Sequence, residues 1–280
     1  MKPELVKGKI DNILVMGKSG AGKQPRIDVL IAEYGLQQLS TGDIFRSYLK
    51  AFDEIGYQGN IMDFYNSDTD SFIPDDEIEQ RLRPQLEGRR PEDVILGLKA
   101  KYYVSNGLFV PDSVTNNLFL AAFRKMNFRG IVHDGYPRTV DQAEFLISVV
   151  EKENRRIDAI IHVDNDDETI LNRVTGRRVC PNCRKVFHME YKPLKDGKYC
   201  TNCGTEAVTR IDDTREKVLS RLKEYREKTQ YAIEYLISRG VPYVAVPGNL
   251  PELTDEAVRK SVFDAIADSE NAEFRFEEIG

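Results

Sequence analysis

From Asn12 to Tyr34 the chain reads NILVMGKSGAGKQPRIDVLIAEY: a β-branched apolar run, a glycine-rich turn, then a segment of helical character. Few local patterns limit a fold more, because a strand that turns through several glycines into a helix points to an α/β architecture with a parallel sheet. Gly17, Gly20, Ala21, Gly22 and Lys23 occupy the GxxxxGK spacing. In such a loop the backbone N–H groups fold inward, the helix amino end adds positive partial charge, and the lysine supplies a mobile cation for phosphate. The residues that follow depart from the usual pattern, with Gln24, Pro25 and Arg26 where a serine or threonine hydroxyl would stand. Pro25 falls in the first helical turn, where its fixed φ is tolerated, but it has no N–H to offer an anion. A lost donor to a charged group is worth about 1.5–3 kcal/mol, so weakened rather than abolished binding is expected. Arg26 and the amide of Gln24 are the candidate replacements.

Further apolar runs at 37–41, 130–135, 158–164 and 242–248 join 12–17 as expected strands. Helices are expected over 23–34, 43–53, 92–106, 112–126, 139–153, 166–175, 212–239 and 254–268. Alternation of this kind predicts an α/β fold with helices on both faces of a parallel sheet. Two stretches interrupt it. Residues 53–91 are polar, turn-rich and without a clear period, an insertion with helical pieces; residues 176–210 look like a small β module. Neither has, on composition, the apolar content to fold alone.

That second stretch holds all four cysteines, as CPNC (Cys180, Cys183) and CTNC (Cys200, Cys203), with sixteen residues between the knuckles. The spacing is that of a four-thiolate zinc site; iron in the same geometry, free thiols and two disulfides are the alternatives. Four protein ligands complete a tetrahedral ion, which makes it structural, with no open position for catalysis. The chain's net charge of −6 gives no global positive field for nucleic acid, and no run approaches the roughly 18 apolar residues of a spanning helix. The charged opening MKPELVKGKI lacks the apolar stretch of a leader, so a cytoplasmic protein without membrane or nucleic-acid partners is expected.

Three more stretches carry a resemblance: LSTGDIFR (39–46), DGYPRTVDQA (134–143) and RVTGRRVCPNC (173–183). Together with the glycine loop, and in the same order, they resemble adenylate kinases of the type whose lid carries zinc, over a span from Asn12 to about Pro251. The resemblance implies a P-loop nucleoside monophosphate kinase fold, a parallel five-stranded sheet flanked by helices with two mobile inserted subdomains. Residues 1–46, 108–172 and 212–280 would form the core, 47–107 an enlarged monophosphate-binding arm and 173–211 the lid. The implied reaction is ATP + AMP ⇌ 2 ADP with magnesium. A kinase for another monophosphate and a nucleotide sensor without turnover are the competing readings. A zinc-ribbon nucleic-acid binder is disfavoured by charge and by the lack of aromatic and basic residues interleaved around the cysteines.

By the same resemblance, Lys23, Arg138, Arg177, Arg210 and Arg221 act on the phosphoryl group in transfer. Gly17, Gly20, Ala21, Gly22, Lys23, Gln24, Arg173, Arg177 and Gly248 would bind ATP. Thr41, Arg46, Gly135, Arg138, Gln142, Arg210 and Arg221 would bind AMP, with Thr41 and Gln142 beside the adenine. Asp43 and Asp134 would accept hydrogen bonds from magnesium-bound water, and Asp43 could also cap a helix. Asp212 and Asp213 lie near the expected hinge and ribose, or cap the helix that follows. The chemistry suits these residue types: two polyphosphate chains brought face to face need neutralisation, and planar guanidinium matches phosphate oxygens in pairs. His133, His162 and His188 are expected in structural roles. A monomer is expected, with an oligomer through the arm as the alternative.

Overall fold

Strand β1 (Asn12–Met16) is buried at every position, and its alternating side chains divide between two apolar clusters, Ile13 and Val15 on one face and Leu14 and Met16 on the other. Only a strand covered on both sides needs apolar residues in every register. The computed structural model describes residues 10–183, 185–190, 192–210, 213–250 and 254–271, without the side chains of 268–271. Within them β1, β2 (Gln37–Ser40), β5 (Ile131–Asp134), β6 (Ala159–Asp164) and β9 (Tyr243–Pro247) form one parallel sheet in the order β2-β5-β1-β6-β9. The five expected strands are all present, each within a residue or so of its anticipated ends.

Helices α2 (Thr41–Asp53), α4 (Pro91–Ser105), α5 (Asp112–Lys125), α6 (Val140–Lys152) and α9 (Gln230–Ser238) cover one face. The other is covered by α1 (Lys23–Tyr34), α7 (Asp167–Thr175), α8 (Arg215–Glu224) and α10 (Asp255–Asn271). The single helix expected over 212–239 is instead α8 and α9 joined by a π turn, Tyr225–Thr229. There the Tyr225 hydroxyl meets Nε2 of His162 on β6 at 2.6 Å, a tertiary tie that local periodicity does not encode.

The insertion differs from expectation. Residues 65–66 (β3) and 71–72 (β4) pair as a short antiparallel ribbon, and α3 (Asp75–Leu82) follows. Phe64, Ile78, Leu82 and Leu86 bury themselves with Phe52, Ile55, Val94, Ile95 and Leu98, so this region has an apolar core of its own. It builds that core by borrowing the carboxyl end of α2 (Phe52) and one side of α4 (Val94, Ile95 and Leu98), while Ile44 and Tyr48 of α2 and Leu96 and Ala100 of α4 belong to the main core. Gly97 permits the crossing: a Cβ there would lie 2.1 Å from the Tyr48 carbonyl oxygen. The cysteine module is an antiparallel pair, β7 (Arg177–Val179) and β8 (Val186–His188), with Phe187, Cys180 and Cys200 at its centre. No helix among the described residues is long and apolar enough to cross a membrane.

Candidate active site

The carboxyl ends of the central strands open onto the glycine loop, the position where parallel α/β sheets bind ligands. Gly22 takes a left-handed conformation and starts α1, which has neither a capping side chain nor an acidic residue in its first turn. Its leading N–H groups are therefore left for an external anion. Pro25 sits inside the helix that begins at Lys23, as its tolerance for the first turn predicts. Gly248, after β9, closes the crevice from the far side; a Cβ there would meet the Ala21 carbonyl oxygen at 2.2 Å.

Lys23 donates to the carbonyl oxygens of Gly17 at 2.9 Å and Lys18 at 3.0 Å. Burial pushes its ammonium down to about 8; Asp134 opposes the fall, and the charges of Arg138 and Arg177 add to it. Cations from β5's following loop and from the first residue of β7 thus act on the loop lysine in the same crevice. Arg173 reaches the Ala21 and Gly248 carbonyls at 3.3 and 3.5 Å, and Arg221 donates to Ser19 Oγ at 3.2 Å. Arg177 forks onto Asp213, whose peptide N–H donates to the carbonyl of the exposed Arg210 at 3.0 Å. Asp212 lies outside the described residues.

On the other side of the crevice the expected roles are less directly displayed. Arg138 Nε donates to Gly135 O at 2.8 Å, and Thr41 donates to the Asp134 carbonyl at 3.2 Å. Arg46 and Asp43 were expected to serve a phosphate and a magnesium-bound water separately; here they bond each other at 2.6 Å, with both side chains more than half exposed. The i,i+3 spacing on α2 makes that pairing the local default when no stronger partner is present. Gln142, expected beside adenine, is buried and has both ends of its amide occupied. Its Oε1 accepts from Arg138 N at 2.8 Å and its Nε2 donates to Asp112 Oδ1 at 2.6 Å. To meet a base it has to exchange these bonds. Gln24 turns along the surface, donating to Asp28 and Gln38, while Gln38 in turn donates to Asp134 at 3.2 Å.

Several residues of this site escaped sequence reasoning. Asp112 orients both Gln142 and Thr139, and the PD dipeptide before α5 marked it only as a helix start. Ser19 and Lys18 lie within the loop motif as variable positions; Lys18 pairs with Asp167 at 2.9 Å, across to α7. Of the histidines, His133 is buried against Phe119 and Phe123, and His162 bonds Tyr225 and Tyr243, consistent with structural roles.

The four cysteines converge. Their sulfurs all lie within 4.8 Å of one another, and none is in a disulfide. The near pairs join the two knuckles crosswise, Cys180 to Cys203 at 3.4 Å and Cys183 to Cys200 at 3.5 Å. These separations are too long for S–S bonds and close to the edges of a tetrahedron with metal–sulfur bonds of about 2.3 Å. The donor set fits zinc.

Comparison with known proteins agrees with this geometry. The sequence profile described as Adenylate kinase matches residues 82–241. The adenylate kinase of Acholeplasma laidlawii (strain PG-8A) is 31% identical over 255 residues, 91% of this chain and 97% of that protein. Those of Geobacillus sp. (strain WCH70) and Agathobacter rectalis (strain ATCC 33656) are 32% and 34% identical over 230 residues, 82% of this chain and 88% of each relative. With this similarity along most of its length, and a parallel sheet whose glycine loop is met by cations from distant segments, the chain belongs to the adenylate kinase family.

Proposed function

We propose that the protein transfers a phosphoryl group in line between nucleotides, ATP + AMP ⇌ 2 ADP. The observation that carries this reading is the convergence on one loop of Lys23, Arg138, Arg177 and Arg221, drawn from four separate segments. Phosphoryl transfer needs no protein nucleophile; positioning and charge neutralisation do the work. The leading amides of α1 and Lys23 hold the donor's phosphate chain, Arg173 and Gly248 border its base, and Arg138, Arg177, Arg210 and Arg221 cover the group in flight. Arg46 leaves Asp43 to take the acceptor's phosphate. Thr41, Gly135 and Gln142 line the acceptor's adenine site, with Asp112 taking up the partner that Gln142 gives up. Asp134 and Asp43 would accept hydrogen bonds from the waters of magnesium bound with ATP, an ion that would supply neutralisation of phosphate charge.

Residues 47–107 act as the monophosphate-binding arm and 173–211 as a lid, each moving against the core of 1–46, 108–172 and 212–280. Cys180, Cys183, Cys200 and Cys203 would hold zinc, which would supply rigidity to a lid with a small apolar cluster of its own, so that its arginines close over the phosphates and exclude water. Such thiolates stay available in the reducing cytoplasm, where we place the protein. One polypeptide supplies every group named, so a monomer suffices.

The test is a coupled assay of ADP formation from ATP with AMP, CMP, UMP or GMP in the presence of magnesium. Turnover with AMP far above the others is the expected result. Turnover with a different monophosphate instead reassigns the acceptor. Tight ADP binding with no exchange of labelled phosphate would support the sensor reading, whose motivation is the donor removed at Pro25.

A further inference from the structure

Arg26 is only 1% exposed, yet among the described residues no carboxylate lies within ion-pairing distance of it. A buried guanidinium ordinarily has an acidic partner, because moving an unpaired charge out of water is costly. Arg26 has backbone oxygens instead. One Nη donates to Gly22 O at 2.9 Å, the other donates to Pro247 O, and Nε has no hydrogen-bond partner. The nearest charge acting on it is a second cation, Arg173; burial first, then Arg173, depresses Arg26 to about 10. A Cβ at Gly22 would sit 3.1 Å from Arg173 Nη1 and 3.5 Å from Arg26 Nη1, so two guanidiniums flank the residue that opens α1.

The contact with Gly22 matters because the Gly22 carbonyl and the Lys23 N–H belong to one peptide unit. Lys23 is the first residue of α1, and its N–H is among the donors left for an anion. A cation bonded to the carbonyl polarises that peptide and makes its N–H a stronger donor, an effect enlarged where water is excluded. Two residues on, Pro25 has removed a donor of the same set. The contact with Pro247 O meanwhile ties the loop to the end of β9, next to Gly248, so that the two walls of the crevice are joined through one side chain.

We infer that Arg26 is a positioning residue of the donor-phosphate site, a buried cation whose counter-ion is the bound polyphosphate and whose bond to Gly22 replaces the amide that Pro25 lacks. The inference rests on the phosphoryl-transfer reading in one respect, that the loop holds a polyphosphate. It makes donor binding depend on a side chain that touches the loop from beneath, and it leaves the acceptor side untouched.

The experiment measures binding of ATP and of inorganic tripolyphosphate to the full chain by calorimetry, with AMP KM measured separately by turnover. The proteins are wild type, Arg26→Gln, Arg26→Lys, Pro25→Thr and the Pro25→Thr/Arg26→Gln double variant. A charged donor lost in this way corresponds to about a tenfold to hundredfold change in affinity. Arg26→Gln is expected to lose at least about tenfold for both ATP and tripolyphosphate while AMP KM stays within about twofold, and Arg26→Lys, which keeps the charge, to recover part of the loss. Pro25→Thr is expected to restore affinity in the Arg26→Gln background and to change it little in wild type, since that donor is already replaced. Equal losses for ATP and AMP that merely follow the melting temperature overturn the inference, as does unchanged tripolyphosphate affinity in Arg26→Gln. If Arg26→Gln does not fold, Pro25→Thr alone decides: affinity within about twofold of wild type supports the inference, and a gain of about tenfold or more overturns it. A wild-type protein that binds neither ATP nor tripolyphosphate overturns the phosphoryl-transfer reading as well, whereas turnover with an indifferent Arg26→Gln overturns this inference alone.

Discussion

Arg177 and Asp213 meet as a two-pronged ion pair at the two ends of the cysteine module, Nε to Oδ2 at 2.8 Å and Nη2 to Oδ1 at 2.6 Å. The Asp213 carboxylate is fully buried and the Arg177 guanidinium 21% exposed, so the pair closes the base of the cysteine module with charge rather than with apolar surface. It also stores an arginine beside Lys23, ready to exchange one anion for another.

Removing one partner strands the other. Arg177→Ala leaves a buried carboxylate without its cation and is expected to lower stability by about 3–5 kcal/mol, while adding Asp213→Leu to it recovers most of that loss. Urea unfolding followed by circular dichroism checks both. A loss below about 1 kcal/mol for Arg177→Ala would mean that the fork is absent in solution.

Lys23 makes donor affinity depend on pH. Its ligand-free value is lowered from 10.5 to about 8, chiefly by burial, and a phosphate chain favours the charged form. ATP affinity should therefore be flat just below about pH 8 and then fall by up to about tenfold per pH unit above it, with proton uptake on binding. Lys23→Arg, always charged, should lose this dependence whatever its absolute affinity. Calorimetry in two buffers of different ionisation enthalpy measures the uptake directly.

The cysteine module should depend on its metal. Chelation is expected to release about one zinc ion per chain and to lower the melting temperature of the cysteine module without unfolding the sheet, since the two have separate cores. Four thiols then become titratable. Because the glycine loop lies in the core, ATP binding should persist while turnover falls at least about tenfold. Collapse of both together would show that the module's metal supports the whole fold.

His133 predicts loss of stability in acid. Burial depresses its imidazole from 6.5 to about 3, and its Nδ1 has no hydrogen-bond partner while Nε2 meets Asn12 Oδ1 at 3.0 Å. The folded value lies below the unfolded one, so the unfolded chain binds the proton more readily. Stability from this group is complete above about pH 6.5 and declines as pH falls toward 3, by up to about 1.4 kcal/mol per unit. His133→Gln should flatten that limb of the stability curve, measured by denaturant midpoints across the acidic range.

Features built from neighbouring residues were open to sequence reasoning. The apolar run of β1, its glycine turn and the start of α1 lie within one short stretch, where periodicity and stereochemistry suffice. The cysteine knuckles likewise announced a tetrahedral donor set by spacing alone. The insertion's core did not show itself, because Phe64, Ile78, Leu82 and Leu86 come from separate short pieces and become one cluster only against Phe52 of α2 and Val94, Ile95 and Leu98 of α4. The same limit applies to the partners that define the site. Arg26 finds Pro247 across 221 positions, Arg221 finds Ser19 across 202, and Gln142 finds Asp112 across 30. Motif spacing names which side chains can carry charge to phosphate. Whether a guanidinium lies in water, against a carbonyl or on a carboxylate depends on which strand ends and helices the sheet order β2-β5-β1-β6-β9 sets side by side, because electrostatic and hydrogen-bond partners are chosen by distance in space and by exclusion of water.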